Sequence, residues 1–66
     1  MMRILAIIRS RIGGYEDDIL QVEEANRRGK EVLAFTATDG GDRTLVFMSR
    51  ESVEELQRTI QEWLDR

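Results

Sequence analysis

The sequence predicts an α+β fold in which a small sheet, containing a β-hairpin, is followed by a C-terminal amphipathic helix. Residues 31–49 contain two runs rich in β-branched and aromatic residues on either side of the turn-forming segment Asp39-Gly40-Gly41. The last segment spaces its apolar residues three or four positions apart, which is the period of one helix face. These residues are Val53, Leu56, Ile60, Trp63 and Leu64.

The length of the chain limits the protein to one domain and predicts a partner subunit. With 66 residues there is room for one domain, and we expect residues 1–66 to form it. Chains this short bury only about 60% of the surface that they expose when unfolded. Small domains compensate with disulfides, a structural metal or a second subunit, and this chain contains no Cys and no His. We therefore expect a homo-oligomer without a metal or cofactor.

The first segment, residues 3–12, predicts a strand. Its centre, Ile4–Ile8, is apolar on both faces, which is typical of an interior strand or one buried at an interface. This run is too short for a signal-peptide core or a membrane span. The lack of Cys gives no indication of secretion. We expect a cytoplasmic protein that does not associate with membranes.

Residues 15–28 admit two interpretations, and the topology depends on which one holds. As a helix, the segment begins with three acidic residues and ends with two arginines, as the helix dipole favours. As a strand, it places Leu20 and Val22 on one face, and Asn26–Gly29 becomes a hairpin turn. The helix accounts for more residues, so the sequence favours the order β-α-β-β-α over the alternative β-β-β-β-α.

The hairpin is predicted to turn through a three-residue loop, Asp39-Gly40-Gly41, with Gly41 in the left-handed conformation. This register pairs Phe35 with Leu45 and turns their side chains toward the same face. The opposite face is more apolar than a solvated sheet face normally is. It carries Val32, Ala34, Thr36, Thr44, Val46 and Met48.

Catalytic chemistry is not expected. The chain has no His, which is the most common proton shuttle, and no Cys, which is the best thiol nucleophile. The segment Asp39–Asp42 lacks the ligand number and spacing of a calcium loop. We predict no catalytic, metal-binding or cofactor-binding residues, and therefore no enzyme.

The function that the sequence favours is a non-enzymatic regulatory module that self-associates and binds a protein partner through an apolar sheet face. The candidate partner-binding residues are the apolar residues of the sheet face that is not expected to pack against the helix. One tyrosine is added because tyrosine is enriched at binding hot spots. They are Val32, Ala34, Val46, Met48 and Tyr15. Trp63 is expected to be buried between the helix and the sheet.

In the four-stranded interpretation, residues 18–64 resemble the PUR repeats that bind single-stranded nucleic acid and the positive-cofactor-type coactivators. The resemblance lies in the strand and helix pattern of LQVEEANRRGKEVLAF followed by RTLVFMSRESVEELQRTIQEWL. It implies a sheet that binds a nucleic-acid strand with basic and aromatic side chains. The arginines available for this are Arg9, Arg11, Arg27, Arg28 and Arg43. A net charge of −3 opposes binding to polyanions, so this is the second function. A designed domain without an evolved function is a further alternative.

Overall fold

The computed structural model describes residues 3–66. Four strands form one antiparallel sheet in the order β1-β2-β3-β4, and a helix follows the last strand. The elements are β1 (Arg3–Arg9), β2 (Ile19–Arg27), β3 (Lys30–Asp39), β4 (Asp42–Met48) and α1 (Arg50–Leu64). The predicted α+β class, the hairpin and the C-terminal helix are confirmed. The topology is the alternative, β-β-β-β-α.

Residues 15–28 do not form the helix that the sequence favoured. Ile19–Arg27 is a strand that pairs with β1 on one side and with β3 on the other. Charges at helix ends stabilise by only about 0.3–1 kcal/mol each. A strand inside the sheet gains hydrogen bonds and cross-strand contacts along both of its edges. Leu20 and Val22 share one face of this strand, as the strand interpretation placed them.

The β2–β3 turn consists of Arg28 and Gly29. The strand interpretation predicted a hairpin turn here, over Asn26–Gly29, but Asn26 and Arg27 belong to β2. Arg27 pairs with Lys30 across the turn, and both turn residues have positive φ angles, 55° at Arg28 and 78° at Gly29. Two positive φ angles in succession define a type I′ turn, whose twist matches that of the strands. Glycine adopts this conformation freely, whereas arginine is strained there.

Replacing Arg28 by asparagine is expected to stabilise the protein. Asparagine tolerates the left-handed conformation, and Asn-Gly is the preferred pair in type I′ turns. We expect Arg28→Asn to raise the free energy of unfolding by up to about 1 kcal/mol, measured by chemical denaturation. Arg11→Asn, a change of the same kind in the β1–β2 loop, is the control. An unchanged or lower stability for Arg28→Asn would contradict the turn assignment.

The β3–β4 turn has two residues, Gly40 and Gly41, and not the three that were predicted. Asp39 and Asp42 close it as a pair. Gly40 has a φ of 60°, whereas Gly41 does not have a left-handed φ. A glycine with positive φ at the first central position is typical of a type II′ turn. The predicted left-handed conformation at Gly41 is therefore wrong, because the two glycines complete the turn without Asp39.

The shorter turn moves the register of β4 by one residue. Phe35 pairs with Val46, and its predicted partner Leu45 pairs with Thr36 instead. A one-residue shift turns every side chain of a strand to the other face of the sheet. The side chains of β4 therefore face opposite to the prediction.

Helix α1 begins directly after the sheet. Ser49 is its N-cap, and the Ser49 side chain accepts a hydrogen bond of 3.2 Å from the backbone amide of Ser52. The amide of Val53 donates to the carbonyl of Ser49 at 3.0 Å. Ser49 is also the whole connection between β4 and α1.

Beyond its first turn, the helix does not pack onto the sheet. In the described part of the chain the buried residues are Ala25 and Ala34, with 5% and 0% of their surface exposed, and no large side chain there is fully buried. The radius of gyration is 13.3 Å. A compact chain of this length would have about 10.8 Å. The chain therefore leaves most of its large apolar side chains in contact with water.

Candidate interaction surfaces

Strand pairing divides the sheet into two faces, because directly paired residues lie on the same side. We call them the apolar face and the arginine face. The apolar residues of the apolar face are Ala6, Ile8, Leu20, Val22, Leu33, Phe35, Ala37, Val46 and Met48. The arginine face carries the basic residues Arg9, Arg27, Lys30 and Arg43, together with Ile4, Ile7, Ile19, Gln21, Glu23, Ala25, Val32, Ala34, Thr36, Thr38, Leu45 and Phe47.

The apolar face is continuous across all four strands. One complete row runs through Ala6, Val22, Phe35 and Val46, and the next runs through Ile8, Leu20, Ala37 and Thr44. Ile8, Leu20 and Val46 are exposed. Monomeric soluble proteins rarely expose a contiguous apolar surface of this kind unless a partner covers it.

Most acidic strand residues lie on one side of the sheet and most basic ones on the other. The carboxylates of Glu24, Glu31, Asp39 and Asp42 belong to the side of the apolar face, where Glu24 pairs with Arg3. On the arginine face the strand carboxylate is Glu23, which accepts a hydrogen bond from the side-chain amide of Gln21. The arginine face is therefore positive even though the chain as a whole is negative.

Arg27 and Phe47 contact each other on the arginine face. The guanidinium carbon of Arg27 lies 4.5 Å from the centre of the Phe47 ring, a cation–π geometry. Phe47 also pairs with Ala34, which is fully buried. These contacts make this end of the arginine face better packed than the apolar face.

The predicted partner-binding residues do not form one surface. Val46 and Met48 lie on the apolar face, whereas Val32 and Ala34 lie on the arginine face, because the register of β4 differs by one residue from the prediction. Ala34 is fully buried and offers no contact area. Tyr15 lies in the β1–β2 loop with 58% of its surface exposed.

Of the arginines proposed to bind nucleic acid, three share the arginine face but lie at two different ends of it. Arg9 and Arg43 lie in the row that runs through Ile19, whereas Arg27 lies at the opposite end of β2. Arg11 lies in the β1–β2 loop and Arg28 in the β2–β3 turn. Phe47, beside Arg27, was not among the predicted nucleic-acid-binding residues. Its position two residues from Leu45 in a predicted strand placed Phe47 on the same face as Leu45.

The apolar stripe of α1, which we call the helix stripe, is also uncovered. It consists of Val53, Leu56, Ile60, Trp63 and Leu64. Val53 is half-buried and lines a shallow pocket with Leu5 and Leu33. The rest of the stripe is exposed, and 64% of the surface of Trp63 is accessible. The prediction that Trp63 is buried between the helix and the sheet is wrong for the single chain, because α1 leaves the sheet after its first turn.

The β1–β2 loop is ordered by its own hydrogen bonds. The carboxylate of Glu16 accepts from the backbone amide of Gly14 at 3.1 and 3.2 Å. Backbone hydrogen bonds from Glu16 and Gly14 lower the pKa of the Glu16 carboxyl. The amide of Tyr15 donates to the carbonyl of Ile12 at 3.0 Å. The loop therefore holds Tyr15 in a defined, exposed position.

Acidic side chains meet where this loop enters β2. Removal from water raises the pKa of Asp18, and the nearby Asp39 raises it further through charge repulsion and a hydrogen bond. In the described chain, no group of three or more His, Cys, Asp or Glu side chains has a geometry that could hold a metal ion.

Removing the Asp18 charge is expected to stabilise the protein at neutral pH. A carboxyl with a raised pKa in the folded state favours folding below its unfolded pKa, and this contribution is lost as the pH rises through the folded pKa. We expect Asp18→Asn to unfold at a higher urea concentration than the parent at about pH 7, and the difference to vanish at about pH 3. Glu55→Gln, on the charged side of α1, controls for net charge. An equal gain at both pH values would exclude the repulsion.

No family model, curated protein or solved structure matches the chain. Between residues 3 and 66, no helix is long and apolar enough to cross a membrane.

Proposed function

We propose that this chain is a non-enzymatic interaction module that works as a homodimer, with the apolar face and the helix stripe buried between the copies. The observation that carries the proposal is that the chain has two extended apolar surfaces, one on the sheet and one on α1, and residues 3–66 leave both uncovered. Burying apolar surface is the main favourable term in protein association. A second copy supplies both missing surfaces at once.

The thin core supports the same proposal. The residues buried within the described chain are alanines, and small domains without disulfides or metals commonly depend on a partner subunit for stability. β1 adds to this need, because Ile4 and Ile7 are exposed on one face and Ile8 on the other. Association would therefore raise the stability of the fold itself.

The regulatory part of the proposal concerns a protein partner of the dimer. A partner that carries its own amphipathic helix would compete with the second copy for the apolar face, and Tyr15 stands free beside the sheet for further contact. Occupying the surface of a larger protein in this way requires no catalytic residue. A cytoplasmic location belongs to the same proposal, and the cysteine-free composition favours it.

Sedimentation equilibrium of the unmodified chain tests the proposal. At concentrations between about 1 and 100 μM we expect a species of twice the chain mass, together with a melting temperature that rises with concentration. Unfolding monitored by circular dichroism over the same range provides the second measurement. A folded monomer whose melting temperature is independent of concentration would contradict the proposal.

A second candidate function is the binding of single-stranded nucleic acid by the arginine face. The observation that favours it is that Arg9, Arg27 and Arg43 lie on the same face as the aromatic ring of Phe47. Proteins that bind single strands combine a positive surface with aromatic side chains on which bases stack. The negative charge of the chain lies mainly on the other face and on the helix.

Salt dependence tests this second candidate. If the arginine face neutralises phosphates, affinity for a fluorescent oligonucleotide falls steeply between about 50 and 200 mM salt. Arg43→Gln then lowers the slope of log K against log salt by about 0.7, the value for one phosphate contact on a single strand. Arg58→Gln, on the charged side of α1, is the matched control. Binding that is absent or insensitive to salt excludes this function.

A further inference from the structure

We infer that the dimer forms by reciprocal helix exchange, in which α1 of each copy packs across the apolar face of the other copy. The inference rests on the homodimer proposed above and adds which surface meets which. It is carried by the connection between β4 and α1, the dimensions of the two surfaces, and the distribution of charge around them.

The connection between β4 and α1 keeps the helix away from its own sheet. Ser49 alone separates Met48 from Arg50, and it is held by the cap hydrogen bonds to Ser52 and Val53. The first turn of α1 reaches the sheet, where Arg50 and Val53 line a pocket together with Glu24, Glu31 and Leu33. Turning the rest of α1 back over the same sheet would require a longer connection or loss of the cap. The helix is therefore presented to another molecule.

The helix stripe fits the apolar face in length. From Val53 to Leu64 the helix rises about 16 Å, at about 1.5 Å per residue. Adjacent strands are about 4.8 Å apart, so β1 and β4 are separated by about 14 Å. One helix laid along the rows of the apolar face therefore reaches all four strands.

Charged residues lie at the margins of both surfaces. At helical spacing, the helix stripe is bordered by uncharged polar residues and by Arg50 at the start of α1; the uncharged ones are Ser52, Gln57, Thr59 and Gln61. The acidic residues lie on the opposite side of α1. On the sheet, the two complete apolar rows contain no carboxylate. Glu31 and Asp39 lie at the two ends of β3, and Glu24 lies in the neighbouring row, where it pairs with Arg3.

Exchange is favoured over the other pairings of the same surfaces. Two apolar faces packed together would leave both helix stripes in water, and two helices packed together would leave both apolar faces in water. Reciprocal exchange covers all four surfaces about a twofold axis, with the same contact made twice. Each copy is incomplete without the helix of the other.

Complementation between two single variants tests the exchange. Val46→Asp damages the apolar face and leaves the helix intact, whereas Ile60→Asp damages the helix stripe and leaves the face intact. We expect neither variant to dimerise alone at concentrations where the parent is fully dimeric. In an equal mixture, the intact helix of one chain meets the intact face of the other, so a heterodimer should form. A mixture that stays monomeric would overturn the exchange.

Isotope-filtered NMR gives a second measurement on the unaltered sequence, so it does not depend on the folding of a variant. Labelled and unlabelled chains are unfolded, mixed and refolded together. We expect nuclear Overhauser contacts between the Trp63 indole of one chain and the Val22 and Val46 methyls of the other. A dimer whose Trp63 contacts are all within one chain, or absent, would overturn the exchange while leaving the homodimer intact. A monomer would overturn both.

Discussion

Val46→Asp is expected to abolish self-association, whereas Leu45→Asp at the neighbouring position is expected to leave it intact. Val46 closes the apolar row that runs through Phe35 and Val22, so a carboxylate there would be removed from water in the dimer. An unpaired buried charge costs several kcal/mol. The dissociation constant should therefore rise by at least about a hundredfold, measured by sedimentation equilibrium.

Leu45 is a matched control because it lies on the same strand but on the opposite face. It is more exposed than Val46 in the single chain, at 50% against 40%, so exposure alone does not predict a difference between the variants. Circular dichroism at high concentration checks that both variants keep the sheet. If the two substitutions weakened association equally, or if only Leu45→Asp did so, the apolar face would not be the contact.

The C-terminal helix could be predicted from the sequence because its evidence is local. The apolar period continues from Val53 to Leu64, and Ser49, a good capping residue, directly precedes the helix. Both signals are confined to residues that are neighbours along the chain. The existence of the β3–β4 hairpin could be predicted for the same reason, from two glycines between two strand-like runs.

The segment 15–28 shows where local signals fail. Acidic residues at its start and arginines at its end suit a helix, yet the segment pairs with two strands that lie elsewhere in the sequence. The alternation of Leu20 and Val22 and the Arg28-Gly29 pair were visible and pointed to the strand. Pairing along two edges outweighs the end charges, and it is not encoded within the segment.

Which residues form each candidate surface depended on the register of β4, and a shift of one residue changes the answer. Asp39 fits the loop or the end of the strand equally well, and the choice decides which face Val46 and Met48 occupy. The sequence indicated an apolar surplus on the sheet, and Ile8, Leu20 and Val46 are exposed on the apolar face. It could not show that α1 leaves its own sheet, because the direction of a helix after a one-residue connection depends on backbone geometry.

Trp63→Ala is expected to weaken the dimer by at least about 30-fold in dissociation constant, while changing the fold of the single chain little. The side chain of Trp63 makes few contacts within its own chain, since 64% of its surface is exposed. Tryptophan is enriched among residues whose truncation costs about 2 kcal/mol or more at interfaces. The sequence predicted that Trp63 stabilises the single chain by being buried in it. We expect instead that Trp63→Ala lowers stability only at protein concentrations where the parent is dimeric.

Fluorescence measures this without any substitution, because Trp63 is the sole tryptophan. In the dimer its emission maximum should lie at a shorter wavelength than that of a hydrated indole, and dilution should shift it to longer wavelengths as the copies separate. Glu62→Ala, one residue earlier on the charged side of α1, should leave both the dissociation constant and the emission shift unchanged. Emission typical of a hydrated indole at every concentration, together with unaltered association in Trp63→Ala, would show that the helix stripe stays in water and that the copies meet through other surfaces.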